Sequence, residues 1–95
     1  MTFHVVAHFH VQAGLGDRVE ALLAHVVEPT AGEDGCLEYQ YYRDNHDPDH
    51  FVFIEQWRDD ASLDVHLARS HVTSMLAAVQ PLLTSPIQGT RLTKR

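Results

Sequence analysis

The residues best suited to chemistry lie in one stretch, FVFIEQWRDDASLDVHLARSH, from Phe51 to His71. It places a carboxylate and an indole two positions apart, Glu55 and Trp57, in an otherwise apolar run. An acidic turn follows, then His66 and His71. A charged carboxylate left buried and unpaired is costly, and His66 is the nearest candidate partner in topology. A carboxylate that holds an imidazole fixes its tautomer and raises its basicity, which is what a general base requires. Glu55 and His66 are therefore the candidate catalytic pair. The same two residues would equally serve as a satisfied structural pair. Trp57 offers a flat wall for an aromatic ligand or an ordinary core side chain. In one unbroken helix His66 and His71 would diverge by about 140°; a break near Arg69-Ser70 would turn both toward one pocket.

The chain has 95 residues, which fits one domain spanning 1–95. A chain of this size buries a modest core, so a partner subunit would help stabilise it. The net charge of -6, without a Lys/Arg run, argues against a nucleic-acid partner. No apolar run approaches the length of a membrane helix. The N-terminal residues lack a basic leader, and Cys36 is the only cysteine, so the cytoplasm is the expected compartment and no intrachain disulfide can form.

Period-two alternation over Thr2–Gln12 predicts a strand, with Phe3, Val5, Ala7, Phe9 and Val11 on one face and the histidines on the other. Asp17 and Glu20 have the spacing of a helix capping box, ahead of an apolar stripe from Val19 to Val27. Pro29 should kink or end that helix. Cys36–Arg43 reads as a second strand with Leu37, Tyr39 and Tyr41 on one face; Tyr39 and Tyr41 are candidate substrate contacts, along with Trp57 and His71. Phe51–Arg58 is a third strand. Asp59 or Asp60 caps a short helix, Ser70 a further one, and Ile87–Thr93 is a final strand. Strand, helix, strand, strand, helices, strand is the ferredoxin-like split βαβ order, an α+β fold with helices on one sheet face. The other face would be bare and apolar, which predicts a homodimer packed sheet to sheet.

His4, His8 and His10 share a strand face. His8 and His10 lie about 7 Å apart at the backbone, close enough to chelate a cation, but no carboxylate or cysteine follows at ligand spacing, so a dimer contact is the leading reading. His46 and His50 flank a polar loop and read as solvated. The chain has no glycine-rich phosphate loop, no CxxC and no Ser-His-Asp order; neither a cofactor nor a metal is expected.

The segments VVAHFHVQAG, EDGCLEYQYYRD and FIEQWRDDASLDVHLARSH, in that order, resemble the antibiotic-biosynthesis-monooxygenase domain family over essentially the whole chain. The resemblance implies a dimeric α+β barrel with a pocket between sheet and helices, lined by Glu55, Trp57, His66 and His71. It also implies cofactor-independent oxidation of a small phenol or quinol by O2, with a small aromatic and O2 as partners. The family's haem-degrading members use a histidine and an asparagine where Leu76 and Ala7 stand here, which disfavours that activity. A non-catalytic small-molecule binding domain, or an isomerase or lyase using Glu55 and His66, remains the alternative on the same scaffold.

Overall fold

A computed structural model describes residues 2–95. The elements run β1 (Phe3–His10), α1 (Gly16–Ala31), β2 (Cys36–Arg43), β3 (His50–Trp57), α2 (Asp60–Leu67), α3 (Ser70–Val79), a 3-10 turn (Gln80–Leu82) and β4 (Gln88–Leu92). The strands form one four-stranded antiparallel sheet in the order β2-β3-β1-β4. This is the ferredoxin-like arrangement that the element order predicts.

Alternation decides which side chains face the helices. Phe3, Val5, Ala7 and Phe9 of β1 and Phe51, Phe53, Glu55 and Trp57 of β3 are buried. They pack with Val19, Leu23 and Val26 of α1, Leu63 of α2, and Met75 and Val79 of α3. Each fully buried apolar side chain of this kind contributes about 1.5–3 kcal/mol. The even positions form the opposite face, where Ile54, Tyr42 and Leu92 are exposed.

Three local expectations are corrected. Leu37 does not share a face with Tyr39: a β-bulge between Cys36 and Glu38 makes it the unpaired extra residue, and it is exposed. Asp17 does not cap α1. The N-cap is Leu15, with no side-chain cap, and both Asp17 and Glu20 bind Arg43. A distant loop reaches this end instead: Asp49 accepts from the N–H of Gly16, the first residue of α1, at 3.0 Å and from Gly14 N in the preceding turn at 3.1 Å. Ser70 does not cap α3: it is the first residue of that helix, and the N-cap is Arg69, with no side-chain cap.

Asp59 caps α2 as expected, accepting from the Ser62 amide at 2.8 Å and the Ser62 hydroxyl at 2.7 Å. The cap sets the start of the helix that carries His66. Asp59→Ala should cost about 1 kcal/mol of stability, read as a lower urea midpoint with an unchanged slope. Directly opposite the cap, Gly35 adopts φ +85. A Cβ there would overlap the Ser62 side chain, so the turn that precedes β2 requires glycine.

Candidate active site

Glu55 projects from the middle of β3, flanked in register by Val5 of β1 and Tyr39 of β2. It is 6% exposed. Its Oε1 accepts from the Trp57 indole N–H at 2.9 Å. Residues i and i+2 of a strand share a face, so a buried indole donor and a buried carboxyl satisfy one another. Burial raises the carboxyl to a pKa of about 7, with the Trp57 N–H acting in the opposite direction.

The expected Glu55–His66 contact is not the one that forms. His66, 2% exposed on α2, directs Nδ1 to Glu33 Oε2 at 2.8 Å. Glu33 stands in the turn after α1, and its side chain is 6% exposed. The chain breaks between α2, ending at Leu67, and α3, beginning at Ser70. That break swings His71 back onto the same carboxylate oxygen, with Nε2 at 2.9 Å from Glu33 Oε2 and 3.2 Å from Thr30 Oγ1. Glu33 thus gathers both imidazoles. Sequence offers no signal for this: in Gly-Glu-Asp-Gly an acid reads as solvated, as the neighbouring Asp34, paired only at the surface with Arg58, is.

Burial lowers the His66 pKa below the ordinary imidazole value, against the pull of Glu33. Neutral His66 therefore carries its proton on Nδ1, donated to Glu33, and leaves Nε2 as a lone pair. Nε2 has no hydrogen-bond partner, and no buried side-chain N or O among the described residues lacks one. Nε2 is accordingly accessible, and the same reasoning applies to the second oxygen of Glu55.

His66 and Glu55 both line one cavity of about 400 Å³ between the sheet and α2–α3. Its wall is mainly apolar, with Ala7, Phe53, Leu63 and Met75 among the lining residues, and Glu55, His66, Tyr39, Gln80 and Arg91 are its polar members. At the rim, Arg91 of β4 binds Asp60 and Asp64 of α2 at 2.8 and 2.9 Å, tying strand to helix. Burial raises the Tyr39 phenol, assisted by Glu55, so Tyr39 stays protonated as a donor at neutral pH. The size and lining suit one small aromatic molecule.

The remaining sequence candidates lie off the cavity. Trp57 is fully buried behind it, 4.8 Å from the His66 ring, and holds Glu55 instead of presenting an open wall. His71 lies outside the lining and supports Glu33. Tyr41 donates to Glu20 at 3.0 Å on the far part of β2. Two sets of side chains bring three possible metal donors within 4.8 Å of one another: Glu33, His66 and His71, and, on the opposite sheet face, His8, His10 and His50. In the first set one Glu33 oxygen already accepts from both imidazoles.

Residues 2–78 match the family model for antibiotic biosynthesis monooxygenase. The chain belongs to this family. It is 34% identical over 88 residues to the Mycobacterium tuberculosis protein named "Putative monooxygenase Rv0793", covering 93% of this chain and 86% of that one. The solved structure of Rv0793 superposes with a TM-score of 0.92 at 30% identity, covering 100% of this chain and 96% of the other. A crystal structure described as an antibiotic biosynthesis monooxygenase gives a TM-score of 0.93 at 33% identity, over 100% and 99% of the two chains. An uncharacterised Synechocystis protein is 29% identical over 84 residues, 88% of this chain but 57% of its own length. The monooxygenase-like domain and its ferredoxin-like fold are thereby established together. No helix among the described residues is long and apolar enough to cross a membrane.

Proposed function

We propose that this domain is a cofactor-independent monooxygenase that oxidises a small phenol or quinol with O2. The observation that carries the reading is the apolar cavity that His66 and Glu55 line together. His66 Nε2 takes the phenolic proton, and Glu33 behind Nδ1 stabilises the imidazolium that forms. Because His66 starts neutral beside an anionic carboxylate, proton transfer leaves a phenolate next to a neutral His66⁺–Glu33⁻ pair. Tyr39 lines the same cavity. The electron-rich anion gives electrons to O2, a carbon–oxygen bond forms, and a hydroperoxide results. The hydroperoxide then loses its distal oxygen as water while the ring C–H proton departs, giving the quinone. One oxygen atom enters the product and one leaves as water. Glu55, near half-protonated at neutrality, is positioned to carry that second proton. The apolar wall keeps bulk water from the intermediate.

The domain acts, on this reading, as a homodimer whose second copy covers the helix-free sheet face. Exposed Tyr42, Ile54 and Leu92 on that face support it.

Oxygen uptake with a panel of quinols and acidic phenols tests the proposal. Metal-stripped protein should accelerate uptake well above the autoxidation of at least one substrate, with one ¹⁸O atom from ¹⁸O2 in the product. Uptake no faster than autoxidation across the panel removes the oxygenase reading. The two cavity proton carriers would also suit an isomerase, which would exchange solvent deuterium into substrate without consuming O2.

A further inference from the structure

On the sheet face opposite the cavity, three imidazoles converge. His10 pairs directly with His50 across β1 and β3, and His8 lies diagonal to it. Their rings stack within 7° of parallel, with centroids 4.6 Å apart for His10–His50, 5.2 Å for His8–His50 and 6.1 Å for His8–His10. His50, expected to be solvated, is half-buried; its Nδ1 is held by Asp44 Oδ2 at 2.9 Å. Its Nε2 faces His8 Nδ1 at 3.0 Å. One nitrogen from each ring lies within 4.8 Å of the others.

We propose that His8, His10 and His50 form a binding site for a divalent transition cation of the Zn²⁺ class. Asp44 supplies the feature that separates a ligand set from a chance cluster. By accepting the His50 Nδ1 proton it leaves Nε2 as the lone pair, the carboxylate–histidine–metal relay in which an outer acid orients and strengthens an imidazole ligand. In the structure that lone pair accepts the His8 Nδ1 proton. A cation would replace this proton, and His8 would carry its hydrogen on Nε2 with Nδ1 turned to the metal. Zinc–nitrogen bonds of about 2.0–2.1 Å in tetrahedral geometry place ligand nitrogens roughly 3.3 Å apart. Side-chain rotations on half-exposed residues can close the present spacing to that value. Three neutral imidazoles leave a fourth position for water or for a group of the second copy where that copy covers this face, and imidazole suits zinc, copper and nickel over magnesium or calcium. The site shares no residue with the cavity, so it stands whether or not the oxygenase reading does.

Calorimetric titration of ZnCl2 into the chelator-treated full chain tests the site, with circular dichroism to confirm folding of each variant. One Zn²⁺ per chain is expected. His10→Gln and His50→Gln should each weaken binding at least about tenfold. Asp44→Asn, which leaves all three imidazoles in place, should weaken it by about 10–100-fold. His46→Gln and His71→Gln should leave it unchanged. Visible absorption of the Co²⁺-loaded protein should show a low-coordinate band that His10→Gln abolishes. The proposal fails if no Zn²⁺ binds, if binding is indifferent to His10→Gln and His50→Gln, or if His71→Gln removes it, since that would place the cation at Glu33.

Discussion

His66→Ala is expected to lower quinol-dependent O2 uptake by about 10²–10⁴-fold, the range a positioned general base contributes. The expectation rests on His66 being the one imidazole that lines the cavity while its Nδ1 is fixed by Glu33. Glu33 touches no cavity surface, so it acts through His66 as a positioning residue. Glu33→Gln retains the volume but replaces one anionic acceptor for two N–H groups with an amide that accepts at one atom and donates at the other. Because both imidazoles bond the same Glu33 oxygen, the amide oxygen at that position can still accept from both; what is lost is the negative charge, and the rate should fall about tenfold or more. The two variants are separable by pH profile. Glu33→Gln should move the acidic limb, because the carboxylate that stabilises protonated His66 is gone; His66→Ala should abolish that limb. Far-ultraviolet circular dichroism and thermal midpoints establish that both remain folded. If His66→Ala retains full activity in folded protein, His66 is structural and the proton acceptor lies elsewhere.

Glu55→Gln is expected to stabilise the protein at alkaline pH and to do little at pH 4. In the native state burial holds the Glu55 carboxyl at about 7, against 4.5 for the free group. Between those values the folded chain binds more protons than the unfolded one, so the Glu55 contribution to stability falls as pH rises across that window. Above pH 7 the full penalty is present, about 3 kcal/mol. Glutamine has no charge to desolvate and can still accept from the Trp57 indole. The midpoint gain of the variant over the parent should therefore be near zero at pH 4 and on the order of 10 °C at pH 8–9. His66 contributes a slope of opposite sign, because its lowered pKa makes the folded chain bind fewer protons below the ordinary imidazole value. The difference between parent and variant cancels that slope. A difference that does not change with pH would show that Glu55 titrates normally. The test does not depend on any activity.

Alternation carried most of the architecture. β1 and β3 declare their buried faces through Phe3, Val5, Phe9, Phe51 and Phe53, and a charged residue in such a row, Glu55, marks the wall of a cavity. The helix start at Asp59 and the break before Ser70 are likewise local, and both were visible. What local pattern cannot supply is the partner of a buried group when that partner comes from a turn. Glu33 meets His66 and His71 across more than thirty positions, and nothing beside it in the chain distinguishes it from the surface acid next to it. Arg43 defeated the capping-box reading for a similar reason: it draws Asp17 and Glu20 away from the α1 amides. Trp57 was legible as buried, but its N–H, not its ring face, is what serves the cavity. His50 was misread because it became a strand residue opposite His10, whereas the sequence pattern started β3 one residue later.

The irregularity at Leu37 gives β2 an unequal tolerance to changes in chain length. Cys36 stands opposite Trp57 and Glu38 opposite Gln56, so losing Leu37 would leave an unbroken ladder with every inward side chain where it is now. Losing any one residue between Tyr39 and Arg43 would instead swap the two sides of the strand beyond the cut. A shortened homologue that keeps the cavity should have lost its residue at the first place, never the second.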